Sequence, residues 1–348
     1  MNTIRVGIVG ANGYSGAELI RLLSAHPHVS VEVLISHSTS GFAIKEVYPH
    51  LTNIVEHTLE SMAVEKVAEQ VDFLFFATPS GVSKDLLPVF VEKDVLCIDL
   101  SGDFRLHNAE SYAEWYNQER TDSKLLSKSV YGLTEFNREQ VQQARWLANP
   151  GCYPTATLLG ILPAIKMNQI EPKGLVIDGK SGVSGAGRKA SLASHFGETN
   201  ENLKIYKVGR HQHIPEIEQM IETITGEAIP VTFSTHLIPM TRGIMCTMYA
   251  NLKAPLKTEE MVASYKEFYQ NDSFVRVREP GVFPATKEVY GSNFCDIGLH
   301  VDERTGRVTI VSVIDNMVKG AAGQAIQNMN LMLGFEETTG LNFVPVYP

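Results

Sequence analysis

Ile4–Val9 (Ile-Arg-Val-Gly-Ile-Val) runs straight into Gly10-Ala-Asn-Gly13-Tyr-Ser-Gly16 and then into Ala17–Leu23, whose apolar spacing is helical. Strand, glycine turn and helix in that order open a doubly wound parallel sheet, and no other segment constrains the fold as much. The glycines let the backbone close on a pyrophosphate, and the helix N-terminus turns its N–H groups and partial positive charge toward that anion. The spacing is Gly-x-x-Gly-x-x-Gly, not the stricter Gly-x-Gly-x-x-Gly, so the motif indicates a dinucleotide without naming one. Gly10, Asn12, Gly13, Tyr14, Ser15 and Gly16 are the expected contacts.

Strand and helix continue to alternate through the first 150 residues. Val29–Ile35, Val71–Ala77 and Val95–Leu100 read as strands and Val82–Val91 as a helix, which predicts a Rossmann-like parallel sheet. Past Gly151 the strands lengthen and alternate: Leu175–Asp178, Val231–Ile238, Ile244–Leu252, Ile297–Val301 and Arg307–Ile314, with few helices between. That pattern predicts a mostly antiparallel sheet in an α+β second domain. The expected division is a dinucleotide-binding domain over 1–150 and a catalytic and dimerisation domain over 151–316. A small-residue helix in 317–348 is expected to pack back on the first domain. At 348 residues the chain is long enough for two cores. The polar stretch Asn108–Lys128 is expected on the surface.

The net charge of −9 argues against nucleic acid or an anionic membrane as partner, so an anionic substrate must meet local positive groups. No targeting segment and no apolar run long enough to span a bilayer is legible, and a cytoplasmic location is expected. Cys97, Cys152, Cys246 and Cys295 lack any spacing that suggests a metal site or disulfides. Cys97 and Cys246 lie in strand patterns.

Cys152 is different. It follows Asn149-Pro-Gly151 and precedes the helical run Leu158, Leu159, Ile161, Leu162. A thiol at a helix N-terminus is favoured as thiolate, the form of a cysteine nucleophile. A dinucleotide and a thiolate together suit hydride transfer at an acyl carbon held as a thioester. Backbone N–H groups near Cys152 and the Asn149 side chain are candidate oxyanion donors. Arg105 is a candidate anchor for substrate carboxylate or phosphate, with Arg188 and Arg242 weaker candidates of the same type. Two histidines, His211 and His213, stand just before a helix over Pro215–Ile224, and spacing does not decide which carries the proton. Pro79 and Ser80, after the third strand, are expected beneath the nucleotide. Where NAD-specific folds place a carboxylate, about 20 residues after the glycines, the chain reads Ser36-His37-Ser38. NADP(H) is therefore the expected cofactor, with Ser36 and Ser38 at its 2′-phosphate.

Taken together, Gly10–Gly16, Asp99-Leu-Ser-Gly-Asp-Phe-Arg105, Leu147–Pro163 and Gly209-Arg-His-Gln-His-Ile-Pro-Glu-Ile217 resemble the N-acetyl-γ-glutamyl-phosphate reductases. That family belongs to the semialdehyde dehydrogenase group and is similar in plan to glyceraldehyde-3-phosphate and aspartate-semialdehyde dehydrogenases. The resemblance implies NADPH-dependent reduction of N-acetyl-γ-glutamyl phosphate to N-acetylglutamate semialdehyde and inorganic phosphate, in arginine biosynthesis. It implies Cys152 as nucleophile and His211 as catalytic histidine, with His213 and Glu216 at the substrate. It also implies Ser184, Gly185 and Asn316 on the nicotinamide side. A homodimer or homotetramer is expected, and no metal. The alternatives are an aspartate-semialdehyde dehydrogenase, a reductase of carrier-protein-linked glutamyl or aminoadipyl phosphate, and a non-catalytic NADP-binding sensor.

Overall fold

The computed structural model describes residues 3–348 and divides into two compact units. The first comprises residues up to Pro150 together with Ala321–Asn342; the second comprises Gly151–Gly320 and Phe343–Pro348.

In the first unit, β1 (Ile4–Val9), β2 (Val29–Ile35), β3 (Phe73–Phe76), β4 (Leu96–Asp99), β5 (Val130–Tyr131) and β6 (Trp146–Ala148) form one sheet in the order β2-β1-β3-β4-β6-β5. Every pairing in it is parallel. Phe73, Leu74, Phe75 and Phe76 are all fully buried, the continuous apolar run that a strand covered on both faces requires. β1 and β2 keep the bounds read from sequence. The stretch 108–128 lies largely at the surface, as expected, and holds helix Ala109–Tyr116, with Asn108 capping its N-terminus and Tyr112 buried.

The segment 317–348 is not one helix. A π-helical turn, Val318–Ala322, precedes helix Gly323–Met332, and the last six residues count with the second unit. Nor does helix Gly323–Met332 attach mainly through small residues. Its Asn328 donates to Gly132 O at 2.8 Å and accepts from Thr134 at 2.7 Å. Asn330 meets His26 Nε2 at 2.9 Å, and Gln327 donates to Glu135 and Glu337. These amides are buried, and leaving one unmade would cost about 1–3 kcal/mol.

The second unit holds β7 (Ile170–Ser181), β8 (Lys204–Tyr206), β9 (Thr232–Leu237), β10 (Ile244–Leu252), β11 (Val275–Val277), β12 (Cys295–Asp302) and β13 (Arg307–Ile314). Their order is β11-β12-β13-β10-β7-β9-β8, with β11/β12 and β7/β9 parallel and the other pairings antiparallel. Helices are more prominent here than expected. Cys152–Lys166 lies on β7, β10 and β13, Thr258–Phe268 packs beside it, and Ile214–Thr225 packs against Cys152–Lys166. From Tyr153 to Ile165 every residue of the first of these helices is buried, which explains its unbroken apolar run.

Candidate active site

In the first unit, the turn between β1 and helix Tyr14–Leu23 is as tight as its glycines suggest. Gly10 has φ +87°, and a Cβ there would stand 2.3 Å from Ala77 O. A Cβ on Gly16 would stand 2.4 Å from Gly10 O. Gly13 is the N-cap, and the helix's first turn carries no acidic residue. An anion is therefore offered a backbone cradle free of opposing charge, which fits a dinucleotide pyrophosphate. Asn12 Nδ2 donates to Ser38 Oγ at 2.9 Å, joining the glycine turn to the loop after β2. Ser80 Oγ donates to Ser101 O, and Pro79 is exposed in the loop after β3.

Three expected contacts are revised in this unit. Ser36 is buried, and its hydroxyl bonds the Thr39 hydroxyl at 2.7 Å, so of the two expected serines Ser38 is the exposed one. Asn149 is 1% exposed; its amide donates to Ala321 O and accepts from Asn328, which makes it an internal tie and not an oxyanion donor. Arg105 is buried at the strand ends, with Nε donating to Asn149 O and Nη2 to Leu100 O, each at 2.8 Å. Asp103, the carboxylate nearest to Arg105 in sequence, instead accepts from the Gly81 and Lys84 N–H groups and from Ser83 and Tyr112. Arg105 therefore holds the strand ends through Nε and Nη2.

In the second unit, Cys152 is the first residue of helix Cys152–Lys166, with Gly151 as N-cap. It is the one cysteine of the four that is partly exposed. Burial pushes the Cys246 thiol up to about 12 and raises Cys97 further still, so both remain protonated. Thr155 N–H returns to Gly151 O, and Pro154 has no N–H. Cys152 and Tyr153 thus occupy the first turn, ahead of the first N–H of the helix ladder.

Both histidines sit at the start of helix Ile214–Thr225, within this same cluster. The His213 ring lies over Gly151, where a Cβ would fall 2.4 Å from Nε2. Gly151 has an ordinary φ of −68°, so it is glycine because of space and not because of backbone conformation. His211 lies one step back, with ring centroids 4.6 Å from His213, 5.5 Å from Tyr153 and 5.6 Å from Phe233. His211 Nδ1 accepts the His213 N–H at 3.1 Å, so the hydrogen of its neutral ring is on Nε2. Burial, with Lys207 adding to it, pushes the imidazole down to about 3. The buried surroundings of His211 thus favour its neutral ring. His213 is the ring at the nucleophile's turn.

Glu216 is fully buried, and its Oε1 accepts the Gly151 N–H at 2.8 Å. Ser184 Oγ accepts from Asn316 Nδ2 at 2.9 Å, and Asn316 Oδ1 accepts from Gly243 N at 2.7 Å. Gly185 lies beside them: a Cβ on it would stand 3.7 Å from Asn316 Nδ2. Arg242 lies 3.6 Å from buried Asp315, and Arg188 is exposed. Sequence reasoning missed Tyr206 and Gly320. Tyr206 donates to the Tyr153 hydroxyl at 3.3 Å, and a Cβ on Gly320 would stand 2.8 Å from Cys152 Cβ. Nothing in the linear spacing places residue 320 against residue 152.

A backbone anion cradle in the first unit and, in the second, a partly exposed cysteine at a helix start beside two histidines are features of the dinucleotide-dependent oxidoreductases. The family model described as "Semialdehyde dehydrogenase, NAD binding domain" matches residues 5–144, and the one described as "Semialdehyde dehydrogenase, dimerisation domain" matches 152–316. An aspartate semialdehyde dehydrogenase II from Vibrio cholerae has the same fold, with TM-score 0.73 at 18% identity over 96% of this chain and 99% of that one. The Candida albicans aspartate semialdehyde dehydrogenase, solved with NADP, gives TM-score 0.67 at 14% identity over 95% and 99%. A protein of Geobacillus thermodenitrificans named N-acetyl-gamma-glutamyl-phosphate reductase is 57% identical over 99% of this chain and 100% of its own. The Bacillus subtilis protein of that name is 50% identical over the same shares. The chain belongs to the N-acetyl-γ-glutamyl-phosphate reductase family.

The cofactor geometry leads to a test. Ser38→Asp places a carboxylate beside the Asn12 side chain, where the 2′-phosphate of NADPH is expected, and should lower the preference for NADPH over NADH by about tenfold or more. Ser36→Asp should instead destabilise the loop after β2. The ratio of kcat/KM for the two nucleotides checks this, and an unchanged ratio in Ser38→Asp would remove that loop from the cofactor site.

Proposed function

We propose that this protein reduces N-acetyl-γ-glutamyl phosphate to N-acetyl-L-glutamate 5-semialdehyde and phosphate with NADPH, a step of arginine biosynthesis, through a Cys152 thioester. The observation that supports it best is Cys152 itself, the partly exposed thiol at a helix start, in a chain alike end to end to named reductases.

The Cys152 thiolate attacks the acyl carbon, the C–O bond to phosphate breaks, and a thioester forms. NADPH, held by the Gly10–Gly16 turn and the loop carrying Ser38, supplies hydride to this carbon when bound. Backbone N–H groups at the start of helix Cys152–Lys166 are the candidate donors to the carbonyl oxygen as it gains charge. Collapse of the adduct returns the thiolate and frees the aldehyde. The balance of the reaction requires one proton, which ends on the departing phosphate. His213, over Gly151, is the group that moves it, and neutral His211 offers its Nε2–H as a fixed donor.

The test is NADPH consumption at 340 nm with N-acetyl-γ-glutamyl phosphate. His213→Asn should lower turnover by about 10²–10⁴-fold. His211→Asn should lower turnover less. No consumption by the wild-type protein would overturn the function, and the reverse ranking would return the proton to His211.

A homodimer or homotetramer and a cytoplasmic location go with this reading. The face of the second sheet turned away from helix Cys152–Lys166 carries Met245, Thr247 and half-exposed Tyr249 by strand alternation, and it suits a second copy. Sedimentation equilibrium reads this directly, and a monomer at micromolar concentration would overturn it.

A further inference from the structure

We infer that Glu216 is a positioning residue for the nucleophile and not a ligand of the substrate. The inference rests on Cys152 as the reacting group. Glu216 occupies the first turn of helix Ile214–Thr225, where a glutamate commonly turns back to cap its own helix. Here the helix has no side-chain cap; the carboxylate reaches across to another helix and accepts the Gly151 N–H at 2.8 Å. Gly151 is the N-cap of the nucleophile's helix, one residue before Cys152.

The same turn grips Gly151 a second time. The His213 ring lies where a Gly151 side chain would be, its Nε2 only 2.4 Å from the position a Cβ would take. Glu216 thus holds the N–H of the N-cap residue while His213 covers its Cα. Gly320 closes in from the far side, 2.8 Å from Cys152 Cβ at the position of its own missing side chain. Three residues on two elements thus crowd the N–Cα segment that aims the Cys152 sulfur. Glu216 is itself 0% exposed, so the carboxylate is walled off from solvent and suits a fixed acceptor better than a receiver of substrate.

A positional error near 1 Å in a catalytic group costs about 100-fold, so the acceptor matters through geometry and not through charge. Glu216→Gln keeps an oxygen acceptor for the Gly151 N–H. It should keep kcat within about threefold of wild type. Glu216→Ala should lower kcat by about 100-fold with KM changed less than about threefold. The rate of Cys152 alkylation by iodoacetamide, followed by mass spectrometry without substrate, should fall in the alanine variant and stay near wild type in the glutamine variant.

Should Glu216→Ala not fold, as judged by circular dichroism and melting, Glu216→Asp serves in its place: its carboxylate is one methylene short of Gly151. A tenfold rise of KM in both variants with kcat retained would make Glu216 a substrate ligand and overturn the inference. Loss of kcat in Glu216→Gln equal to that in Glu216→Ala would make the charge the active element and overturn it as well. Unchanged kcat in Glu216→Ala would do the same. Absence of turnover in the wild-type protein would overturn the proposed reaction, while the alkylation contrast would still decide the role of Glu216.

Discussion

Cys152→Ser should fold, bind NADPH and lose nearly all turnover. Serine fits the site, since the residue before it is glycine and the residue facing it is Gly320. The hydroxyl, however, is far harder to ionise than a thiol, and the helix end that favours a thiolate does too little to expose an alkoxide. Cys97, Cys246 and Cys295 cannot substitute, because all three are buried in strands. Iodoacetamide should therefore inactivate the wild-type protein in step with modification of one residue. Retention of more than about a tenth of wild-type activity in Cys152→Ser would refute the covalent route.

The second large effect concerns the leaving group. If the thioester arises by loss of phosphate, then in reverse phosphate must attack it. Oxidation of N-acetylglutamate semialdehyde with NADP should stop when phosphate is removed and resume on adding it. Arsenate should replace phosphate, because the acyl arsenate hydrolyses and draws the reaction forward. A hydrolytic dehydrogenase would use water and run at the same steady rate without either anion. Full-rate NADPH production in phosphate-free buffer would thus refute the reductase reading. The anion must be met locally, since a chain of net charge −9 repels it overall.

Sequence pattern carried the framework where an apolar or alternating run is bounded by turns. Ile4–Val9, Val29–Ile35, Ile244–Leu252 and Arg307–Ile314 have the bounds that alternation and apolar runs predict. It failed where a strand contains polar and turn residues: β7 begins at Ile170 and runs through Pro172, Lys173 and Gly174, which read as a loop. The register slip opposite, between Tyr249 and Asn251, shows how the sheet accommodates them. It failed again at helix Thr134–Gln143, whose polar face hides the period.

At the site, Cys152 was legible because helix start and turn are adjacent in sequence. The Glu216–Gly151 bond was not, because it joins residues 65 apart. The side chains of Asn149, Arg105 and Ser36 have partners that were not legible, for a common reason. Each is a polar group in a suggestive place, and only the fold reveals that its hydrogen bonds are directed inward.

The return of Ala321–Asn342 to the first unit sets an order of events on the ribosome. The nucleotide-binding sheet emerges first, yet Gly132 O, Thr134 and His26 have no Asn328 or Asn330 to meet until almost the whole chain has been made. The unit begun earliest is therefore completed only after the sheet of the second unit has been made. A nascent chain arrested just before residue 321 carries the glycine turn and every strand of that sheet, but not the helix that satisfies the buried polar groups around them.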